Sequence, residues 1–376
     1  MAAADVVGGL VAEIDAEMDV LVDQIGDRIR EDIPDFRRLP AETLARAIRG
    51  NVGRALTALR DLRPPTDGEL EQAAEIGRER AEQGLTVDAV LHAYRVSVTA
   101  VWSRFGELAR ERGADVTTVL AFSETLWVWA DAVMDIVGAA HREVELEQAR
   151  EEQQRRDAFL LALLTGTLDA ADLRRDSGTF GLDADREFIA FRARETAPAR
   201  PQSHRVAVAL AGDDGLVMSL DRDLAGIATR APGSVPGIVV GVGPAARLEA
   251  LPAAFAMASR ALQTAVAFGQ EGAFSLADLS IRPAIVADEV LGDAFAARYL
   301  EPLEGLGRLG TELEETLRTW FDQGMRMDET ARALHVHTNT LRHRLRWFEE
   351  TTGTTLRDPR HLVELWWALE RRRLAS

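Results

Sequence analysis

Glu329 to Gly353 reads ETARALHVHTNTLRHRLRWFEETTG, and this stretch decides what the end of the chain is. Asp328 to Leu334 has the pattern of a short helix with small residues at Thr330-Ala331 and Ala333-Leu334. His335-Val336-His337 forms a tight link, and Thr338 to Glu350 begins a second helix. Helix, short link and helix, with small side chains where the two must approach, is the sequence form of a helix-turn-helix. At about 100° per residue, Leu341, Leu345 and Phe348 of the second helix lie within about 60° of one another and predict a buried seam. Asn339, Arg342, His343 and Arg346 point the other way. An arginine can bond N7 and O6 of guanine together, an asparagine can bond N6 and N7 of adenine, and a helix N-terminus favours phosphate. Thr338 and Thr340 are expected to add phosphate contacts, and Arg344, near the seam edge, to pack or reach the DNA backbone.

Arginine-rich helices are common on protein surfaces, so the face alone decides little. Its setting adds more: another helix precedes it, and no acidic residue stands between Ala331 and Phe348. The contrast with the rest of the chain is sharp. The 376 residues hold 44 basic and 61 acidic side chains, a net charge of −17. Thr311 to Ser376 accounts for 11 of each, so the whole imbalance lies in the first 310 residues. A protein that coats nucleic acid or anionic membrane over its whole surface is excluded; a local reader is not. There is no cysteine, which excludes disulfides, thiolate metal sites and a cysteine nucleophile, and fits a cytoplasmic location. No apolar run reaches the length of a membrane span, and the start Met-Ala-Ala-Ala-Asp lacks the form of a signal peptide.

Upstream, Val7 to Ile29 repeats apolar residues at steps of three and four and predicts one amphipathic helix; Ala41 to Leu62 predicts another, closed by Pro64-Pro65. Helices are expected to begin near Asp67 and, capped by Thr86, just after Gly84. From Asp115 to Leu164 the helical pattern runs without a proline. Between His141 and Asp157 that segment reads HREVELEQAREEQQRRD and has almost nothing to bury, which predicts a rigid connector, doubled in a dimer. After Gly166 the period changes. Glu187 to Arg194, Arg205 to Leu210, Leu216 to Leu220 and Gly237 to Gly241 predict strands, with helices at Asp221 to Arg230 and about Ala246 to Phe268, and a hairpin turn at Gly212-Asp213-Asp214-Gly215. From Ala287 the pattern is helical again.

The run ALHVH-x-NTLR-x-RL, with E-x-TG after it, resembles the C-terminal domain of PucR/CdaR-type bacterial transcriptional regulators. The resemblance implies DNA binding as a homodimer or higher oligomer. Asn339, Thr340, Leu341, Arg342, Arg344 and Leu345 match the motif; Thr338 stands where a basic residue is frequent and His343 where tyrosine is frequent. GVGPAARLEALPAAFAMASRALQTAV (Gly241 to Val266) is similar to the degenerate GGDEF-like domain of such regulators, and RERAEQGLTVDAVLHAYR (Arg78 to Arg95) to the all-helical RsbR-type domain that often comes first.

Other motifs reduce to structure. A cyclase needs glycines, acids and an aromatic on the hairpin and an acid on the first strand for magnesium; Phe188 to Phe191 has no acid. Gly241-Val-Gly243-Pro-Ala-Ala246 imitates a dinucleotide fingerprint, but Pro244 removes a backbone donor, so a turn that starts a packing helix is expected. His335, His337 and His343 make a poor metal set. Trp347, Trp366 and Trp367 are read as core, and Arg371-Arg372-Arg373 as a solvated helix end with phosphate contact as the alternative. His92, Tyr94, Arg95 and Trp102 share one helix and are candidates to line a ligand pocket, with Arg95 meeting an acidic effector.

The expectation is a multidomain, mainly α protein: an all-α sensory bundle (1–140), a connector helix (141–164), a degenerate GGDEF-like α/β domain (165–285) and an all-α helix-turn-helix domain (305–376). It is expected to be no enzyme, to need no cofactor or metal, and to bind double-stranded DNA under control of a small-molecule or protein effector. The alternative is a signalling scaffold that acts through protein contacts.

Overall fold

The computed structural model describes residues 3–196, 203–212 and 214–375 and separates into two compact units, Met1–Gln154 and Arg155–Ser376.

The first unit is helical throughout its described residues, apart from short links. Its helices are α1 (Ala3–Ala16), α2 (Met18–Asp32), α3 (Ala41–Arg60), α4 (Asp67–Glu82), α5 (Val87–Glu111) and the first part of α6 (Val116–Thr165). The stripe from Val7 to Ile29 is buried as its spacing predicts, but the helix is interrupted at Glu17, which leaves two helices in place of one. The apolar period runs through the break, so periodicity alone could not reveal it. Glu17 is instead tied to Arg104 by bonds of 2.8 and 2.9 Å. One core spans the unit, from Val7 on α1 to Val137 on α6. Beyond the buried His141, whose Nε2 lies 2.8 Å from the carbonyl of Leu85, α6 is mostly exposed until Phe159.

Local chemistry explains where α4 begins. Thr66 Oγ1 accepts from the Glu69 amide at 3.4 Å, and Glu69 Oε2 accepts from the Thr66 amide at 2.8 Å, a reciprocal cap. Arg63 grips the same carboxylate at 2.8 and 3.0 Å. Its hydrogen bonds, ahead of those from Thr66, lower the Glu69 pKa from 4.5 to about 2 against the opposing cost of burial. A depressed folded pKa stabilises the fold above the unfolded carboxylate range, and that contribution is lost as pH falls from about 4.5 toward 2. Thr66→Ala should cost about 1 kcal/mol. Glu69→Gln should flatten the acid limb of the stability profile. Urea denaturation of the first unit from about pH 5 down to about pH 2 checks both.

The second unit starts with the last turns of α6 and α7 (Ala170–Thr179). A five-stranded sheet follows, formed by β1 (Phe188–Glu195), β2 (Leu216–Leu220), β3 (Asp223–Ala228), β4 (Ile238–Ala246) and β5 (Gly272–Phe274) in the order β2-β3-β1-β4-β5. All neighbours are antiparallel except β4 and β5. Helix α8 (Ser203–Ala211) joins β1 to β2, and α9 (Leu251–Ala267) follows β4. The pairing of β1 with β4 slips between Ile189 and Phe191. Ala190 and Phe191, consecutive on the strand, point to opposite faces of the sheet, and both are buried because helices cover both faces. Ala190 faces Leu251, Ala254 and Phe255 of α9 together with Leu160 and Leu164 of α6, while Phe191 faces Val206 and Leu210 of α8.

Three readings of this region need correction. Arg205 to Leu210 is helical, not a strand: Val206, Leu210 and Ala211 are its buried positions, spaced for a helix, and Val208 is exposed. Asp221 to Arg230 is not helical; it contains β3, a central strand whose Ala225, Ile227 and Ala228 are buried. The tight turn is accordingly Asp221-Arg222, between Leu220 and its partner Asp223, with Asp221 at a φ of 56°. Gly212 ends α8, and Asp213 lies outside the described residues.

Helices α10 (Arg282–Ala287), α11 (Glu289–Tyr299), α12 (Glu301–Glu304), α13 (Arg308–Asp322), α14 (Met327–Ala333), α15 (Thr338–Thr352) and α16 (Pro359–Ala375) complete the chain. Their core takes in Tyr299, Leu300 and Leu303, upstream of residue 305. No helix among the described residues is long and apolar enough to cross a membrane.

Candidate nucleic-acid interface

Helices α13, α14 and α15 form the C-terminal helix-turn-helix. Leu341, Leu345 and Phe348 are buried and pack with Leu313, Leu317 and Trp320 of α13 and Leu365 and Leu369 of α16, as the seam predicts. The link between α14 and α15 is a tight reversal. Val336 donates its amide to the carbonyl of Ala331 at 3.0 Å, and His335 adopts a φ of 53°, a strained value for a residue with a Cβ. His337 then caps α15, its Nδ1 accepting from the Asn339 amide at 3.1 Å. Two of the three clustered histidines thus serve the turn. No group of three or more acidic or histidine side chains among the described residues is placed to hold a metal.

Asn339, Thr340, Arg342, His343 and Arg346 are exposed along one side of α15, and Thr338 is half-buried at its start. Arg342 Nη1 donates to Asn339 Oδ1 at 3.2 Å, so these two side chains hold each other on the surface. Arg344 behaves differently. It is half-buried, donates to Glu312 at 2.7 Å and to Thr316 Oγ1 at 3.2 Å, and thereby ties α15 to α13. Its charge is spent inside the domain. Arg344→Ala is expected to cost about 1–2 kcal/mol of stability, through removal of a charge-assisted bond, while weakening DNA binding far less than removal of Arg342. Thermal unfolding and DNA titration of the same variant separate the two effects.

Two expectations about aromatic and basic residues fail here. Trp347 is 42% exposed and outside the core, because it sits about 240° around α15 from Leu341. Arg371 and Arg372 are not a solvated end: Arg371 pairs with Asp293 at 3.0 Å, and Arg372 with Glu304 at 2.7 Å and Glu314 at 3.2 Å. These acids lie on α11, α12 and α13, so the pairs fasten α16 to its neighbours and leave those two guanidinium groups engaged away from phosphate. Sequence spacing gave no sign of partners some 60 to 80 residues away.

In the first unit, the structure does not gather His92, Tyr94, Arg95 and Trp102 into one pocket. His92 and Arg95 are exposed, Tyr94 is buried, and Trp102 is half-buried with its ring 6.2 Å from that of Phe122. Two positions along a helix are about 200° apart, so His92 and Tyr94 necessarily face opposite ways. Besides Ser97 on its own helix, the polar residues that share a cavity with Tyr94 are Asn51 of α3 and Arg80 of α4. Neither is near it in sequence. An arginine at a helix position flanked by small residues, Gly77 and Ala81, was the available signal.

Comparison with known proteins agrees with this division. Residues 19–156 match the family described as the RsbT co-antagonist protein rsbRD N-terminal domain, and residues 313–370 match the PucR C-terminal helix-turn-helix domain. An uncharacterized protein in the pkwA 5′ region of Thermomonospora curvata is 36% identical over 78 residues, 21% of this chain and 43% of that protein. The match therefore spans less than half of that relative. The crystal structure of a regulator of polyketide synthase expression from Bifidobacterium adolescentis is 21% identical. It covers 57% of this chain and 96% of its own, with a TM-score of 0.27, too slight a likeness to bear on the fold.

Proposed function

The chain joins an RsbRD-type N-terminal domain to a PucR-type C-terminal helix-turn-helix domain, and from that pairing we propose a transcriptional regulator in which α15 reads an operator under control of the helical first unit. The observation that carries this reading is the exposed face of Asn339, Arg342, His343 and Arg346, with no acid on the helix before Glu349, on a helix whose opposite side is locked into the core. Such a face can enter the major groove N-terminus first, with Thr338 and Thr340 against the phosphates.

The chain acts as a homodimer or higher oligomer, because paired recognition helices meet half-sites about 34 Å apart. The first unit receives a small-molecule or protein effector and alters how the paired readers are spaced. The sheet region serves as a degenerate GGDEF-like domain without catalysis, since β1 offers no acid before Glu195 to hold magnesium. A local reader on an acidic body gains little from nonspecific attraction, so affinity depends on pairing and on base contacts.

Selection of bound duplexes from a random-sequence pool by the purified full chain tests the reading. Recovery of a two-fold symmetric site is expected; recovery of no sequence preference would contradict it. A second reading, a signalling scaffold, draws on the RsbRD match over residues 19–156 and is the one that a failed selection would favour.

A further inference from the structure

The first unit encloses two adjoining cavities. One, of about 40 Å³, lies among α2, α3, α4 and α5, walled by apolar groups such as Ile29, Phe36 and Ile48 and by the polar Asn51, Arg80, Tyr94 and Ser97. The second, of about 20 Å³, shares Asn51, Tyr94 and Ser97 with the first and reaches Trp129. Together they have room for a few heavy atoms, since about 10–15 Å³ of such space already admits a water.

The polar groups on these walls are unusual in what they lack. Tyr94 is 8% exposed, yet its hydroxyl has no hydrogen-bond partner, and neither does the buried Nε1 of Trp129. Asn51, Arg54 and Arg80 stand close enough to the Tyr94 hydroxyl to oppose the effect of burial on it, but none completes a bond. Burial nevertheless pushes the Tyr94 pKa up to about 12, so at neutral pH the group is a donor. Asn51 turns its Oδ1 to Arg54. Arg80 is 5% exposed; it donates to Gln83, and the carboxylate of Glu79, 4.0 Å away, faces solvent. A buried cation whose countercharge stands off at the surface, beside an unused hydroxyl donor, is a setting built for an acceptor that bears negative charge. Ser97 spends its hydroxyl proton on the Ala93 carbonyl at 3.0 Å, and the rest of the wall is apolar.

We propose that this cavity is a binding site for a short aliphatic monocarboxylate, acetate to butyrate in size. Its carboxylate accepts from Arg80 and Tyr94, and its alkyl end lies against Ile29, Phe36 and Ile48. The site goes beyond the DNA reading above. Its occupancy is measured without DNA, so either can fail while the other stands.

The test is thermal unfolding of the full chain, titrated with sodium acetate, propionate and butyrate, with sodium chloride and propionamide at matched concentration as controls. At ten times its Kd, one of the carboxylates should raise the melting temperature of the first unit by about 3–6 °C, and neither control should. Tyr94→Phe removes a donor that is unpaired in the free protein. It should therefore melt at or above the wild-type temperature without ligand and bind the carboxylate at least about tenfold more weakly. Quenching of Trp129 fluorescence by the same carboxylate, absent in Trp129→Phe, gives a second readout at the adjoining wall. No shift with any carboxylate beyond that of chloride would overturn the site. So would an equal shift with propionamide, or a Tyr94→Phe variant that responds as the wild type does.

Discussion

Replacing Arg342 and Arg346 together with alanine is expected to weaken binding of the full chain to its selected duplex by roughly 30- to 20,000-fold, because each guanidinium bonded to a base edge contributes about 1–3 kcal/mol. The fold should not notice. Both side chains are exposed, and Arg342 gives up only its 3.2 Å bond to Asn339, itself a surface residue. Stability should stay within about 0.5 kcal/mol of wild type, the usual range for surface changes away from special features. Fluorescence anisotropy at fixed salt measures the first quantity and thermal unfolding the second. If the scaffold reading holds instead, the double variant will bind its partners as the wild type does.

The second large effect concerns the sheet. Gly241→Ala should destabilise the second unit by about 3 kcal/mol or more, as overpacking against atoms that cannot move aside does. A Cβ at Gly241 would stand 2.0 Å from the carbonyl oxygen of Ala258 and 2.5 Å from the amide nitrogen of Leu262, both on the backbone of α9. At Gly243 the obstacle is the carbonyl oxygen of Ala254, at 2.3 Å. Alternate positions on β4 thus lack side chains so that α9 can lie directly on the strand. The glycines that imitate a dinucleotide fingerprint are there for this close approach; they lie within β4, paired with β1, and not in the turn before a helix that the sequence suggested. Gly233→Ala, where an added Cβ would meet nothing within 4 Å, should be close to neutral, and urea denaturation of the two variants beside the wild type measures both effects.

Helix existence was legible wherever apolar residues recurred over several turns, as on α3, α5, α6 and α15. The limits of such reading are physical. The break at Glu17 keeps the apolar stripe in phase, so nothing in the spacing marks it. Arg205 to Leu210 carries two valines in a short apolar run, and short apolar runs suit a strand or a buried helix equally. Asp221 to Arg230 places Leu224 and Ile227 at helical spacing, yet pairing with β1 and β2 on both sides imposes a strand; a tertiary effect of that kind is invisible to local propensity. On the reader, the phase of α15 foretold both the seam and the exposed polar face. Arg344 remained open in sequence because only the fold brings Glu312 to it. The same holds for Arg371 and Arg372, whose acidic partners come from distant helices. In the first unit, adjacency along α5 suggested a shared pocket, whereas helical geometry scatters neighbours. Apart from Ser97 on α5 itself, the cavity around Tyr94 draws its other polar walls from α3 and α4.

The most direct test of whether α15 reads base edges is chemical, not mutational alone. Binding of the wild-type chain and of the Arg342→Ala/Arg346→Ala variant should be compared on the selected duplex and on the same duplex with guanines replaced by 7-deazaguanine, which lacks the N7 acceptor. The wild type should lose at least about tenfold in affinity at one or more guanines, and the variant, already without those guanidinium groups, should lose nothing further there. Equal losses for both proteins, or none for the wild type at any guanine, would contradict major-groove reading by Arg342 and Arg346.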